Sequence, residues 1–149
     1  MPSIVSYQKH VNEYTTITLR GPEGMDQPNI TELCTLDGIT YMSVPDGVIL
    51  PEQPAEIAAS VVSVALDDVL RERIKAASPH SGLVGQRMID TIRAAYSIDD
   101  EMYFSRIGVG AATGLYVPTA GEMEELAVFG NFVEGVREWG RSERAKLGL

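Results

Sequence analysis

Apolar positions repeat most strictly toward the C-terminal end of the chain. Leu126, Phe129, Val133, Val136 and Gly140 follow one another at intervals of three, four, three and four residues, which predicts a single buried stripe on an α-helix over residues 119–149. Phe132 and Trp139 flank that stripe and widen it. Thr119, three residues before Glu122, has the form of a capping box, so the helix has a defined start. Glu122, Glu124 and Glu125 lie at its positive end, and Arg141, Arg144 and Lys146 near its negative end. Gly148 is placed to stop it.

The N-terminal part follows a different period. Thr15, Ile17 and Leu19 alternate with Thr16, Thr18 and Arg20, predicting a strand over residues 14–20 with one wet face. Residues 21–24 punctuate it, and residues 25–29 read as an irregular connection. Asp37-Gly38 between the alternating runs 30–36 and 39–44 predicts a hairpin with a two-residue turn, because both turn residues need positive φ. Pro45-Asp46-Gly47 makes another turn before a short strand at 48–50, and Pro51 and Pro54 then interrupt regular pairing. Residues 57–66 mix alanines with Val61, Val62 and Val64 and are read as a strand. Asp67 or Asp68 caps a helix to about Ala77 with Leu70, Ile74 and Ala77 on one face. Residues 78–82 break it. Leu83, Val84, Met88, Ile92 and Ala95 form the stripe of a helix over 83–96. Ser97 caps a further one, with Asp99, Asp100 and Glu101 in its first turn and Ile98, Met102 and Ile107 facing inward. Residues 108–114 read as a glycine-rich loop, mobile or tightly turned. The expected fold is α+β: one domain over 1–149, an antiparallel β-meander in about 1–66 packed against three or four C-terminal helices in about 67–149.

Charge narrows the set of partners. Twelve basic against twenty-one acidic residues give a net charge of −9, which repels a phosphate backbone unless cations gather on one face. The one cationic cluster, residues 137–146, alternates with Glu138 and Glu143 and reads as a solvated helix end, so no nucleic acid is expected as a partner. The N-terminus lacks the basic-then-apolar order of a signal peptide, and no run approaches the roughly 18 apolar residues that cross a bilayer. These features predict a soluble cytoplasmic protein without a membrane partner. Cys34 stands alone and reads as a small buried hydrophobe rather than a disulfide or zinc ligand.

No pattern predicts catalysis, a metal or a cofactor. Gly108, Gly110 and Gly114 in Gly-Val-Gly-Ala-Ala-Thr-Gly invite comparison with a phosphate loop, with Arg106 as counter-charge. The spacing departs from the dinucleotide fingerprint, and no Gly-Lys-Ser/Thr follows. A small-molecule site for a nucleotide-like anion on these four residues is therefore the alternative function. His10 and His80 lie apart, and His80 with its neighbouring serines is read as a helix cap. Asp99, Asp100 and Glu101 point in different directions on a helix and are explained by its dipole. Phe132 and Trp139, seven residues apart beside the stripe, either complete the domain core or form an edge for a partner, with Arg137 and Arg141 alongside.

Four stretches carry a family resemblance: Leu-Asp-Gly-Ile-Thr-Tyr at 36–41, Leu-Pro-Glu-Gln-Pro at 50–54, Tyr-Ser-Ile-Asp-Asp-Glu at 96–101, and Phe-Val-Glu-x-Val-Arg-x-Trp-Gly-Arg at 132–141. Together they resemble small accessory proteins of the tail modules of tailed bacteriophages, in which a β part precedes helices. The resemblance implies a non-enzymatic virion or tail-assembly protein that binds other phage structural proteins and itself as a homo-oligomer. It implies a place in the host cytoplasm during assembly, or in the virion.

Overall fold

The computed structural model describes residues 1–24 and 29–149. Residues 25–28, most of the expected irregular connection at 25–29, lie outside the described residues. The elements in order are β1 (Ser3–Tyr7), β2 (Thr31–Leu36), β3 (Ile39–Val44), α1 (Ala55–Ala58), β4 (Val62–Val64), α2 (Asp68–Ala77), α3 (Pro79–Ala95), α4 (Ile98–Thr113) and α5 (Ala120–Ala145). The fold is α+β, an antiparallel N-terminal sheet followed by helices. The chain divides into two compact units, Met1–Val84 with Ser142–Leu149, and Gly85–Arg141.

In the first unit the four strands stand in the order β2-β3-β1-β4. Asp37 (φ 52°) and Gly38 (φ 80°) close the β2–β3 hairpin through Leu36 opposite Ile39, as the Asp-Gly dipeptide predicts. Arg73 of α2 donates to the Asp37 carboxylate at 2.9 Å and ties the turn to the helix. Alternation along the strands buries both faces of the sheet. Ile4 and Tyr41 join Leu33, Ile74 and Leu149 in one cluster, whereas Val5, Tyr7 and Met42 join Leu19 and Ile57 in another. The pairing register shifts between Glu32 and Cys34, so the adjacent Leu33 and Cys34 both reach the first cluster. Cys34 is buried, as expected, and burial raises its thiol pKa.

Residues 14–20 are not a strand. They form a tight excursion closed by the bridge His10–Thr16 and by bonds Val11 N–H to Thr15 O (3.0 Å) and Ile17 N–H to Lys9 O (2.8 Å). Side chains then take over what a ladder would do. Leu19 N–H donates to the buried Tyr7 hydroxyl at 3.2 Å, and Gln53 accepts from Arg20 N–H and donates to Arg20 O at 2.7 and 2.9 Å. The first strand is instead Ser3–Tyr7, whose adjacent Ile4 and Val5 hide the period because both faces are covered. Residues 48–50 are likewise irregular, and the strand expected over 57–66 shrinks to β4 after the single turn of α1. Ser60 Oγ bonds Ile57 O at 2.8 Å and accepts from Gln8 N–H at 3.0 Å there, a local alternative to the ladder.

α2 starts where expected: the Asp67 carboxylate accepts from Leu70 N–H at 2.7 Å. Ser78 then ends α2, and α3 begins at once with Pro79, earlier than the apolar stripe suggests. Among the described residues Ser78 Oγ is buried without a hydrogen-bond partner, so it is not the expected side-chain cap of α3. The C-terminus finishes in a Schellman arrangement: Gly148 N–H reaches Ala145 O and Leu149 N–H reaches Arg144 O, each at 3.0 Å, with Gly148 at φ 80°. A Cβ on Gly148 would stand 3.0 Å from Ile4 Cδ1, so Leu149 enters the core only because that position is glycine.

The hairpin gives a direct test of turn chemistry. Nothing lies within 4 Å of a Cβ built on Gly38, so only backbone conformation limits that site. Gly38→Val should destabilise by about 1 kcal/mol or more and lower Tm, whereas Gly38→Asn, which tolerates positive φ, should stay near wild type. Equal melting of both variants in calorimetry would contradict the turn.

Candidate functional site

The second unit is held by rings. Phe104 of α4 stacks on Phe129 of α5 with centroids 4.7 Å apart, and Tyr96 stands edge-on to Phe129, Phe132 and Phe104 at 4.9, 5.4 and 6.0 Å. These include all three phenylalanines of the chain. Small residues set the helix spacing on either side. Gly108 leaves α4 close to Leu126, and Gly140 leaves α5 so close to Met88 of α3 that a Cβ would meet its Sδ at 2.3 Å. The stripe Leu126, Phe129, Val133, Val136 and Gly140 is the covered face of α5, with Val136 and Gly140 buried and the other three half-buried.

The edge beside that stripe is divided between two roles. Phe132 is half-buried because Tyr96 packs against it, while Trp139 remains 38% exposed. Between them lies an open groove of about 480 Å³ lined by Thr91, Asn131, Phe132, Gly135, Val136 and Trp139. Its walls are largely apolar, its rim carries Asn131 and Thr91, and Gly135 leaves space for an incoming side chain. The two arginines expected to accompany it differ. Arg141 is held by Glu134 and Glu138 at 2.5 and 2.9 Å, which raises its pKa and lowers that of Glu134. Arg137 is only 3.9 Å from Glu134 and well exposed, but neither arginine lines the groove, because positions 137 and 141 fall on the side of α5 away from Phe132, Gly135 and Trp139.

The glycine segment is not a loop. α4 continues through residues 108–113, and Gly114 (φ 73°) is its C-cap. Thr113 Oγ1 donates to Val109 O at 2.7 Å, and the helical amides of Gly108 and Gly110 are spent within the helix. A helix C-terminus presents carbonyls and partial negative charge, the wrong polarity for a phosphate. Arg106 and Gly110 do line a groove of about 520 Å³ with Tyr103, Tyr116 and Glu122 among its walls. Gly108 and Gly114 do not line it; they serve helix packing and the cap. Glu122 adds a second negative charge there, so the arrangement opposes the anion site expected on Arg106, Gly108, Gly110 and Gly114.

What those residues do instead is lock the turn into α5. Tyr116 N–H donates to Gly110 O at 3.2 Å, and its hydroxyl donates to both Glu122 oxygens at 2.8 and 2.9 Å. Glu122 also accepts from Thr119 N–H at 3.0 Å, and Thr119 Oγ1 accepts from Glu122 N–H at 3.1 Å, completing the expected capping box. The Thr119 backbone bond, with Tyr116 next, lowers the Glu122 pKa, and the bond to Glu122 raises that of Tyr116. α4 opens on a second capping box, Ser97 with Asp100, while Glu101 pairs with Arg93 at 2.8 Å. Ile107 faces inward as expected, but Ile98 and Met102 are on the outer face. α4 has two apolar stripes, and the inner one runs through Phe104 and Ile107.

His10 Nδ1 lies 3.2 Å from Thr16 Oγ1, and His80 is exposed in the first turn of α3. Among the described residues no group of three or more His, Cys, Asp or Glu side chains is placed to hold a metal ion, and no helix is long and apolar enough to cross a membrane. No family model, curated protein or solved structure matches the chain.

Two tests address this local chemistry. An exposed helical glycine normally gains about 0.5–1 kcal/mol on replacement by alanine, and Gly130→Ala and Gly135→Ala should raise Tm because nothing lies within 4 Å of either Cβ. Gly110→Ala should lower it, since the new Cβ would meet Tyr116 Cβ at 2.8 Å; three changes of the same sign would refute the packing of Tyr116 on α4. For Glu122, a folded pKa below the unfolded one means that its contribution is present above the unfolded carboxylate pKa and lost as pH falls through the folded value. The Tm deficit of Glu122→Ala relative to wild type should therefore shrink as the solution is acidified, and a deficit independent of pH would exclude the carboxylate as its source.

Proposed function

We propose that this chain is a non-enzymatic protein that works by binding other proteins, as a structural or assembly component of a phage tail. The observation that carries the reading is Trp139. It is the chain's one tryptophan, on a rigid helix, beside a groove and outside the ring cluster that holds the unit together. Half-exposed tryptophans beside an apolar pocket are the side chains that dominate binding when a partner covers them. An apolar or aromatic side chain entering over Gly135 would pack on Phe132 and Trp139, with Asn131 and Thr91 at the rim for its polar neighbours. The resemblance of residues 36–41, 50–54, 96–101 and 132–141 to tail-module accessory proteins supports tail proteins as the partners. Work in the host cytoplasm during assembly, or in the virion, follows from that reading.

The test separates two sides of one helix. Val136→Asp buries a charge without a partner and should unfold the helical unit, as circular dichroism reads it. Trp139→Ala should stay folded and lose complex formation, measured by light scattering, with the tail proteins encoded by neighbouring genes. Absence of any complex with the wild type, or a complex indifferent to Trp139→Ala, would overturn the proposal.

A further inference from the structure

The outer stripe of α4 is a surface of its own, independent of the groove beside Trp139. Ile98, Met102 and Val109 are 60, 57 and 62% exposed, and with Ser105 they follow at intervals of four, three and four residues. The same four residues, with Glu101 and Arg106, line one shallow groove of about 510 Å³. This is the spacing of a helix–helix seam, presented on the side of α4 opposite Phe104 and Ile107.

We infer that this stripe seats a second copy of the chain, whose α4 lies antiparallel across it about a twofold axis. Charge and size choose the occupant. When Met102 of one copy faces Ser105 of the other, a large side chain meets a small one, and Ile98 faces Val109 in the next layer. The flanking positions then bring Asp99 beside Arg106 of the second copy. The twofold axis repeats every contact, so one register makes two ion pairs and four apolar layers. Asp99 and Arg106 are exposed and enter no ion pair within the chain among the described residues, whereas Glu101 is held by Arg93. Thus the stripe offers one unspent charge of each sign. A parallel pairing in register would carry the Asp99 and Arg106 of the two copies to opposite sides of the seam, so it makes neither of these ion pairs.

One helix pair of this length buries little area, so the dimer belongs to the small, concentration-dependent class below about 1,200 Å². The net charge of −9 opposes any self-association at low ionic strength, and at about 0.15 M salt the screening length is near 8 Å, which suppresses that long-range term more than the contact pairs. Sedimentation equilibrium across a dilution series at that salt reads the result. The wild type should pass from monomer to dimer with rising concentration. Asp99→Arg and Arg106→Asp should each weaken the dimer by about tenfold or more, and the double reversal should recover most of the loss. Met102→Glu should abolish it while circular dichroism shows an intact fold. A monomer at every concentration, a dimer indifferent to the single reversals, or a double variant as weak as either single one would overturn the inference.

Discussion

The contact on which the helical unit depends is the stack of Phe104 on Phe129, braced edge-on by Tyr96. Each such ring pair contributes roughly 0.5–1.5 kcal/mol beyond its buried area, and here three rings make three mutual pairs. The cluster joins the end of α3, the middle of α4 and the middle of α5, which otherwise meet through small residues at Gly108 and Gly140. Its geometry decides what is left over. With Phe132 drawn in by Tyr96, Trp139 is left two turns further along and outside, and with Phe104 and Ile107 turned in, Ile98, Met102 and Val109 are turned out.

The first unit is built on a different constraint, a sheet covered on both faces. β1 occupies an inner position of that sheet, so its Ile4 and Val5 are both apolar and both buried, and the period of two that would announce a strand is erased. The alternating run at 14–20 shows the pattern without the strand, because Tyr7 and Gln53 side chains satisfy its backbone instead of a neighbouring ladder. Much of the turn and cap chemistry is readable: Asp37-Gly38, Asp67, Ser97, the Thr119 capping box and Gly148 each act through a few adjacent residues, which a sequence displays completely. Tertiary choices were not. α4 carries two apolar stripes, and only the position of Phe129 on another helix decides which one turns in. Glycines at 108 and 110 looked like a loop because their helix contacts lie on Leu126 and Tyr116, beyond local sequence.

The candidate surfaces follow the same division. Trp139 and Phe132 could be picked out from their spacing beside the α5 stripe, and the groove between them needed only the absence of side chains at Gly135. The outer face of α4 is equally present in the spacing of Ile98, Met102, Ser105 and Val109, but the local pattern turns Ile98 and Met102 inward with Ile107. Charge separates the two. The α5 groove has no charged side chain among its lining residues, while α4 presents a balanced pair, Asp99 and Arg106.

Trp139 is the chain's one tryptophan, so its fluorescence reads the state of that edge without any label. Acrylamide quenching of the dilute, folded protein measures most directly whether the edge is open. A ring 38% exposed should give solvent-relaxed emission and clear quenching by acrylamide, below that of the denatured chain but well above that of a shielded indole. Blue-shifted emission shielded from acrylamide would mean that the chain closes the edge on itself, and the α5 surface would then be core rather than interface.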